Sequence, residues 1–312
     1  MSSTTDRSSK LIISVASLSC RFGAKLALDN VSLEVTSGQV LGLVGANGAG
    51  KTTLIKHLLG LLKPAGGSVR VFGLDPVANP PGVLGRIGFL SEDRDLPMWM
   101  RVEELLRYSR AFYPKWDDQY AESLRRQFQL DPAARIKHLS RGELAKAGLL
   151  VALAHRPELV VLDEPSSGLD PLVRRDMLEA IVRTVADEGR TVFFSSHLLD
   201  EIERVSDRIA MMDSGRFVLT GELAGLLESH HRLTLRFEKP PVQTPKLDGA
   251  LSISGSGLEW TVLCNGAIPE IVMAAKILGA QVVAQEAASL DEIFLARIGK
   301  LPSSTDAPEG QS

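Results

Sequence analysis

The sequence predicts an α/β fold: a largely parallel sheet covered by helices, followed by a small C-terminal αβ domain. Three observations predict it. Continuous apolar runs, 158-ELVVLD-163 and 190-RTVFFSS-196, alternate with helical periodicity, as expected of strands buried on both faces. A glycine-rich stretch, 45-GANGAGKT-52, sits between an apolar strand and a helix. Beyond a three-proline stretch at 238–250, a second set of strand and helix patterns begins.

Taken in order, residues 11–45 read as short strands: LIISVASLSC, KLALDNVSLEV and QVLGLVG. A helix follows at about 51–61 and another strand at 68-SVRVFG-73. Residues 100–155 carry helical periodicity in VEELLRYSRAF, YAESLRRQFQL and ELAKAGLLVALAH. The run 158–163 precedes a helix at about 171–187, the run 190–196 precedes one at 198–205, and 208-RIAMMD-213 is a last short strand. From about residue 231 the second unit reads strand LTLRFE, strand LEWTVLC, helix IPEIVMAAKILG, strand AQVVAQE and helix SLDEIFLARIG, the last with Leu290, Ile293, Phe294 and Ile298 inward. Residues 1–10 and about 302–312 are Ser/Pro-rich and polar and are expected to be disordered tails.

Composition narrows the classes. A chain of 312 residues is long enough for one large and one small domain. A net charge of −3 carries no general signal for nucleic acid. Two cysteines, Cys20 and Cys264, make neither a disulfide framework nor a metal cluster and suit a reducing compartment. No apolar run approaches the ~20 residues of a spanning helix, and the N-terminus lacks a signal core, so a cytoplasmic protein is expected.

The stretch 45–52 fits G-x-x-x-x-G-K-[ST] in full. Gly45, Gly48 and Gly50 let backbone N–H groups curl around phosphate oxygens, and the helix N-terminus adds partial positive charge. Lys51 can reach the β- and γ-phosphates, and Thr52 can ligate Mg²⁺. At the end of the run Leu159–Leu162, Asp163 is placed to hold Mg²⁺ through water and Glu164 to polarise the attacking water. A second helix start lies at 138-HLSRGELAKAGLL-150, where Ser140 and Glu143 form a capping box ahead of an apolar run.

In this order the motifs resemble the nucleotide-binding subunit of ATP-binding-cassette (ABC) transporters over residues 11–225. Besides the two motifs above, 166-SSGLD-170 resembles the D-loop, His197 the switch histidine, 139-LSRGE-143 the signature motif, and Phe22 the aromatic that stacks on adenine. The resemblance implies a P-loop NTPase of the ABC type over 11–228, with a RecA-like core, a β subdomain and a helical subdomain at about 91–155, and an accessory domain at 231–300. It implies ATP as ligand and Mg²⁺ as cofactor, and a nucleotide cradle that includes Asn47 and Thr53. It also implies a head-to-tail pair of subunits, homodimer or heterodimer, in which Ser140, Gly142 and Glu143 of one subunit grip the γ-phosphate held by the other. Asp170 then organises the interface. This explains two phosphate-binding helix starts in one chain: each serves a different ATP.

Two positions depart from the family pattern. Glu143 stands where glutamine is usual, and as a carboxylate near the γ-phosphate it is expected to slow the site unless a cation such as Arg141 offsets it. Glu92 stands at the Q-loop glutamine, where it binds Mg²⁺ or is simply a solvated acid. Met98, Trp99 and Met100 fall where a membrane permease docks a coupling helix; internal packing is the other reading. The ending 289-SLDEIFLARIG-299 resembles ATPases of bacterial type-2 exporters, which points to an exporter subunit at the inner face of the membrane. The alternatives are an importer ATPase, or a non-transport relative acting on ribosomes or DNA; the chain has one cassette, no heptads and no cysteine cluster, so no nucleic-acid partner is expected.

Overall fold

A computed structural model describes the chain from Lys10 to Ile298, the side chains of residues 182–188 excepted. The expected tails at 1–9 and 302–312 lie outside those residues. Lys10, assigned to the first tail, is tied to the fold: its carbonyl accepts the Ser37 N–H at 2.8 Å.

The chain divides into two units, residues 1–217 and 218–312. The first begins with an antiparallel hairpin, β1 (Leu11–Phe22) and β2 (Lys25–Thr36), closed by a turn in which Gly23 has φ +59°. Next come β3 (Val40–Val44), α1 (Lys51–Leu58), β4 (Gly66–Val71), α2 (Pro80–Leu84) and β5 (Ile87–Leu90). Three helices follow: α3 (Val102–Arg110), α4 (Asp118–Gln127) and α5 (Arg141–Leu153). Then β6 (Leu159–Asp163), α6 (Pro171–Glu188), β7 (Thr191–Ser196), α7 (Leu199–Val205), β8 (Arg208–Asp213) and β9 (Arg216–Glu222) alternate.

The strands form two sheets. The small one has the order β2-β1-β4 and is antiparallel. The large one runs β5-β6-β7-β3-β8-β9, with β5·β6, β6·β7, β7·β3 and β3·β8 all parallel. Each residue of β3, β6 and β7 is buried, as strands covered on both faces require. Helix α1 is clamped between the sheets: Leu54, Ile55 and Leu58 share one core with Ile13, Val15 and Val71 of the small sheet and Leu43, Leu159 and Phe193 of the large one. Each such fully buried aliphatic side chain contributes about 1.5–3 kcal/mol. The helix that follows the glycine-rich stretch is thereby held rigidly, which fixes the loop ahead of it.

The division between units falls inside β9, ahead of the expected 228–231 boundary. The reason is packing: Leu219 and Leu227, the latter on α8 (Leu223–Ser229), pack with Leu251 and Leu263 of the second unit's core. That unit is a four-stranded antiparallel sheet, order β11-β12-β10-β13, built from β10 (His230–Phe237), β11 (Ala250–Ser256), β12 (Glu259–Asn265) and β13 (Ala280–Ala287). Its two further helices are α9 (Ile268–Ile277) and α10 (Leu290–Ile298). On α10, Leu290, Ile293 and Ala296 are buried, whereas Phe294 and Ile298 are only half-buried. Among the described residues no helix is long and apolar enough to cross a membrane, and both cysteines are free and buried.

Candidate functional site

The loop between β3 and α1 is shaped by close approach. A Cβ on Gly45 would lie 2.4 Å from the Met212 carbonyl oxygen. Gly50 has φ +113°, and a Cβ there would lie 2.7 Å from the Ala27 carbonyl oxygen. Side chains at either position would push the loop off the sheet, so the curled loop exists only with glycine there. Beside it is an open cleft of about 340 Å³. Phe22, Asn47, Gly48, Gly50, Lys51, Thr52, Thr53, Glu92 and Glu164 line it. Lys25 and Ala27 also line it. Motif reasoning missed these two; the hairpin register, which sets Lys25 opposite Phe22, is the signal that brings them in.

Lys51 is buried with its ammonium fully engaged. It donates to the carbonyls of Gly45 at 2.6 Å and Ala46 at 3.3 Å, and lies 3.0 Å from Glu164 Oε1 as an ion pair out of hydrogen-bonding alignment. Glu164 Oε2 accepts from the His197 backbone N–H at 3.3 Å and pairs with His197 Nδ1 at 2.7 Å. An ionised carboxylate only accepts, so Nδ1 carries the proton. Glu164 itself has φ +47°, strain of a kind concentrated at functional positions.

Asp163 is buried and accepts the Ser195 hydroxyl at 2.7 Å, while Ser195 Oγ accepts the Glu164 N–H at 3.0 Å. Motif reasoning missed Ser195 as well. The hint was a pair of hydroxyls ending an otherwise apolar strand, directly before a histidine. Glu92 is exposed at the cleft edge and accepts a long bond from Ser167 Oγ, 3.4 Å. Beyond it, Arg94 is buried and donates through Nη2 to the carbonyls of Pro165, 3.2 Å, and Ser167, 2.6 Å; burial, then the nearby Arg141, holds its pKa below the usual arginine value.

The second helix start lies apart from the cleft lining. Ser140 caps α5, and Glu143 closes the box: its Oε2 accepts from both the Ser140 N–H, 2.8 Å, and the Ser140 hydroxyl, 2.7 Å. The Ser140 backbone bond, then the side-chain bond, hold the Glu143 carboxyl below its ordinary pKa. At Gly142 a Cβ would sit 2.9 Å from Val173 Cγ1 on α6, so a larger residue there requires the valine side chain or the helix to shift. Arg141, expected to offset the Glu143 charge, instead reaches toward Gly168, 3.1 Å from where a Cβ on that glycine would stand; the cation that acts on Glu143 is Lys146. Asp170 caps α6, accepting the N–H groups of Leu172 and Val173, both at 3.1 Å. Met98 and Trp99 are exposed, Trp99 at 73%, and Met100 is half-buried.

Comparison with known proteins bears on the family and the fold. The family described as ABC transporter matches residues 28–167. An ABC transporter ATP-binding protein of Nostoc sp. strain PCC 7120 is 31% identical over 293 residues, 89% of this chain and 85% of the relative. A Nod factor export ATP-binding protein of Neorhizobium galegae is 34% identical over 65% of this chain and 60% of its own length. Among solved structures, the ATP-binding subunit of an ABC transporter superposes with a TM-score of 0.64 at 30% identity, covering 70% of this chain and 92% of that one. A dimeric bacterial ABC transporter cassette shares the fold, with a TM-score of 0.61 at 21% identity over 68% of this chain and 99% of that one.

Proposed function

The chain belongs to the ATP-binding subunits of ABC transporters and is an ATP hydrolase, and from that premise we propose that it works as one of a head-to-tail pair driving a separately encoded membrane permease, in the direction of export. The observation that carries the reading is the meeting of Lys51 and Glu164 in the wall of the cleft, with His197 held on the Glu164 carboxylate though not itself in the cleft lining. Export is supported by the Nod factor export relative and by the resemblance of 289–299 to exporter ATPases. The pairing is supported by the two separate phosphate-binding helix starts and by the dimeric neighbour.

In this reading adenine stacks on Phe22, and the phosphates lie along residues 45–52 with Lys51 at the β- and γ-phosphates. Lys51 exchanges Glu164 for phosphate oxygens, which frees Glu164 to take a proton. Water attacks the γ-phosphorus, the bond to the ADP oxygen breaks, and the water proton passes to Glu164, whose orientation His197 holds. The partner's signature helix closes the site through the residues corresponding to Ser140 and Gly142.

The all-oxygen set of Thr52 hydroxyl, Asp163 and Glu92 fits Mg²⁺, and the fit is supported by Asp163, buried and oriented by Ser195. An ion held by these residues would neutralise phosphate charge. Met98 and Trp99 form the docking surface for the permease.

The test is a pull-down from mildly solubilised membranes with Glu164→Gln as bait and ATP-Mg²⁺ present. A stoichiometric polytopic membrane protein is expected. Recovery of ribosomes, nucleic acid or soluble proteins alone overturns the transport reading.

A further inference from the structure

The residues around Glu164 and His197 are held by a group that the reaction does not use. Glu201, on α7, is fully buried. Its Oε2 accepts two hydroxyls, Ser166 Oγ at 2.7 Å and Ser196 Oγ at 2.8 Å. Its Oε1 lies 3.2 Å from Arg174 Nε on α6, an ion pair out of hydrogen-bonding alignment. Each serine has a single hydroxyl proton, and both are spent on the same oxygen. Ser196 is then left with lone pairs facing the chain, and it accepts the Leu198 N–H at 3.0 Å.

The positions of these partners matter. Ser196 and Leu198 flank His197 on both sides, so the Glu201–Ser196–Leu198 relay sets the turn that presents the imidazole. Ser166 lies two residues after Glu164. One buried carboxylate outside the cleft lining therefore holds, through the two hydroxyls, the segment that carries the base and the segment that carries the histidine. Stability alone gives no reason for this arrangement. A buried carboxylate loses solvation that its partners only partly return, and a well-packed apolar residue beside Leu199 and Ile202 serves a core as well or better.

We infer that Glu201 is a positioning residue for hydrolysis: with Ser166 and Ser196 it fixes the distance and angle between Glu164 and His197. The inference rests on the ATPase reading above. It predicts a split between binding and turnover, because Glu201, Ser166 and Ser196 do not line the cleft. Displacing reacting groups by about 1 Å costs about 100-fold in rate.

The experiment measures kcat and the equilibrium affinity for a fluorescent ATP analogue in the purified chain and in Glu201→Ala, Glu201→Gln and Ser196→Ala. Expected are a kcat loss of about 10–100-fold in Glu201→Ala with affinity within about twofold. Partial rescue is expected in Glu201→Gln, whose one carbonyl oxygen still accepts both hydroxyls. A Ser196→Ala/Glu201→Ala double variant is expected to be no slower than the worse single one, since both act through one contact. If Glu201→Ala does not fold, Glu201→Gln and Ser196→Ala decide. Wild-type kcat in both of those, or equal loss of affinity and kcat, overturns the positioning role. Absence of hydrolysis in the wild-type chain, or hydrolysis that Lys51→Ala leaves unchanged, instead overturns the ATPase reading on which it rests.

Discussion

Glu143→Gln is the most discriminating perturbation of the second phosphate site. In the structure the Glu143 carboxylate takes both donors of Ser140, its N–H at 2.8 Å and its hydroxyl at 2.7 Å. In the proposed head-to-tail pair, a γ-phosphate arriving from the partner subunit would compete for these same donors and meet a like charge. At about 5 Å and an effective dielectric of about 40, suited to an exposed helix start, each unit of phosphate charge costs about 1.7 kcal/mol against that carboxylate. Lys146 offsets only part of this, because its ammonium lies 3.5 Å from Asp176. Glutamine keeps the hydrogen-bonding shape and removes the charge. The half-saturating ATP concentration for dimerisation, measured by size-exclusion chromatography in a Glu164→Gln background, is therefore expected to fall roughly tenfold. The isolated subunit pays in stability: the charge at the helix N-terminus is worth about 0.3–1 kcal/mol, a melting shift of about 1–3 °C. The dimerisation gap should narrow as salt is added. An unchanged or raised ATP requirement, with the expected drop in melting temperature, would refute the competition between carboxylate and phosphate.

Three further outcomes follow from other sites. His155 is buried, stacked on Tyr113 with ring centroids 3.8 Å apart, and its pKa is lowered to about 4, first by burial and then by the nearby Arg190, against raising by hydrogen bonds to Ile87 and Val151. The unfolded chain binds this proton below about pH 6.5, so stability should decline from there toward pH 4 by about 3 kcal/mol; denaturant titrations in which His155→Asn shows the same slope would disprove it. Arg94→Ala leaves the Pro165 and Ser167 carbonyls without their guanidinium, and a loss of about 2–3 kcal/mol of stability is expected from urea midpoints; a loss under about 0.5 kcal/mol would mean that water replaces it. Trp99→Ala should leave the melting temperature and ATPase of the isolated subunit unchanged while reducing permease recovery in the pull-down; a drop in melting temperature above about 4 °C favours internal packing instead.

What was legible in the sequence was what is local. The loop at 45–52 is recognisable because each glycine answers to backbone geometry within a few residues, and α5 because Ser140 and Glu143 close a box three residues apart. The all-apolar β6 and β7 announce themselves through burial on both faces. Strand β11 escaped notice because Ala250–Ser256 is mostly exposed and serine-rich, and it follows a proline-rich stretch that reads as a break. Strand β9 escaped because its residues are half-buried or exposed, without the alternation that marks a strand. The relays behind the cleft were hidden for a different reason. Asp163–Ser195 and Ser166–Glu201 join residues 32 and 35 apart in the chain, brought together only because β6 and β7 lie side by side and in parallel. Yet Glu201 left a trace. The apolar helical phase set by Leu198, Ile202 and Val205 passes over position 201, and an acid on that stripe either finds donors or destabilises the helix's seat. Buried donors that can satisfy a carboxylate are few in an apolar strand, and here they are Ser196, directly before His197, and Ser166, just beyond β6. An acidic residue in an apolar stripe, within one turn of a hydroxyl-ended strand, is thus a physical pointer to a second layer of the site that motif matching passes over.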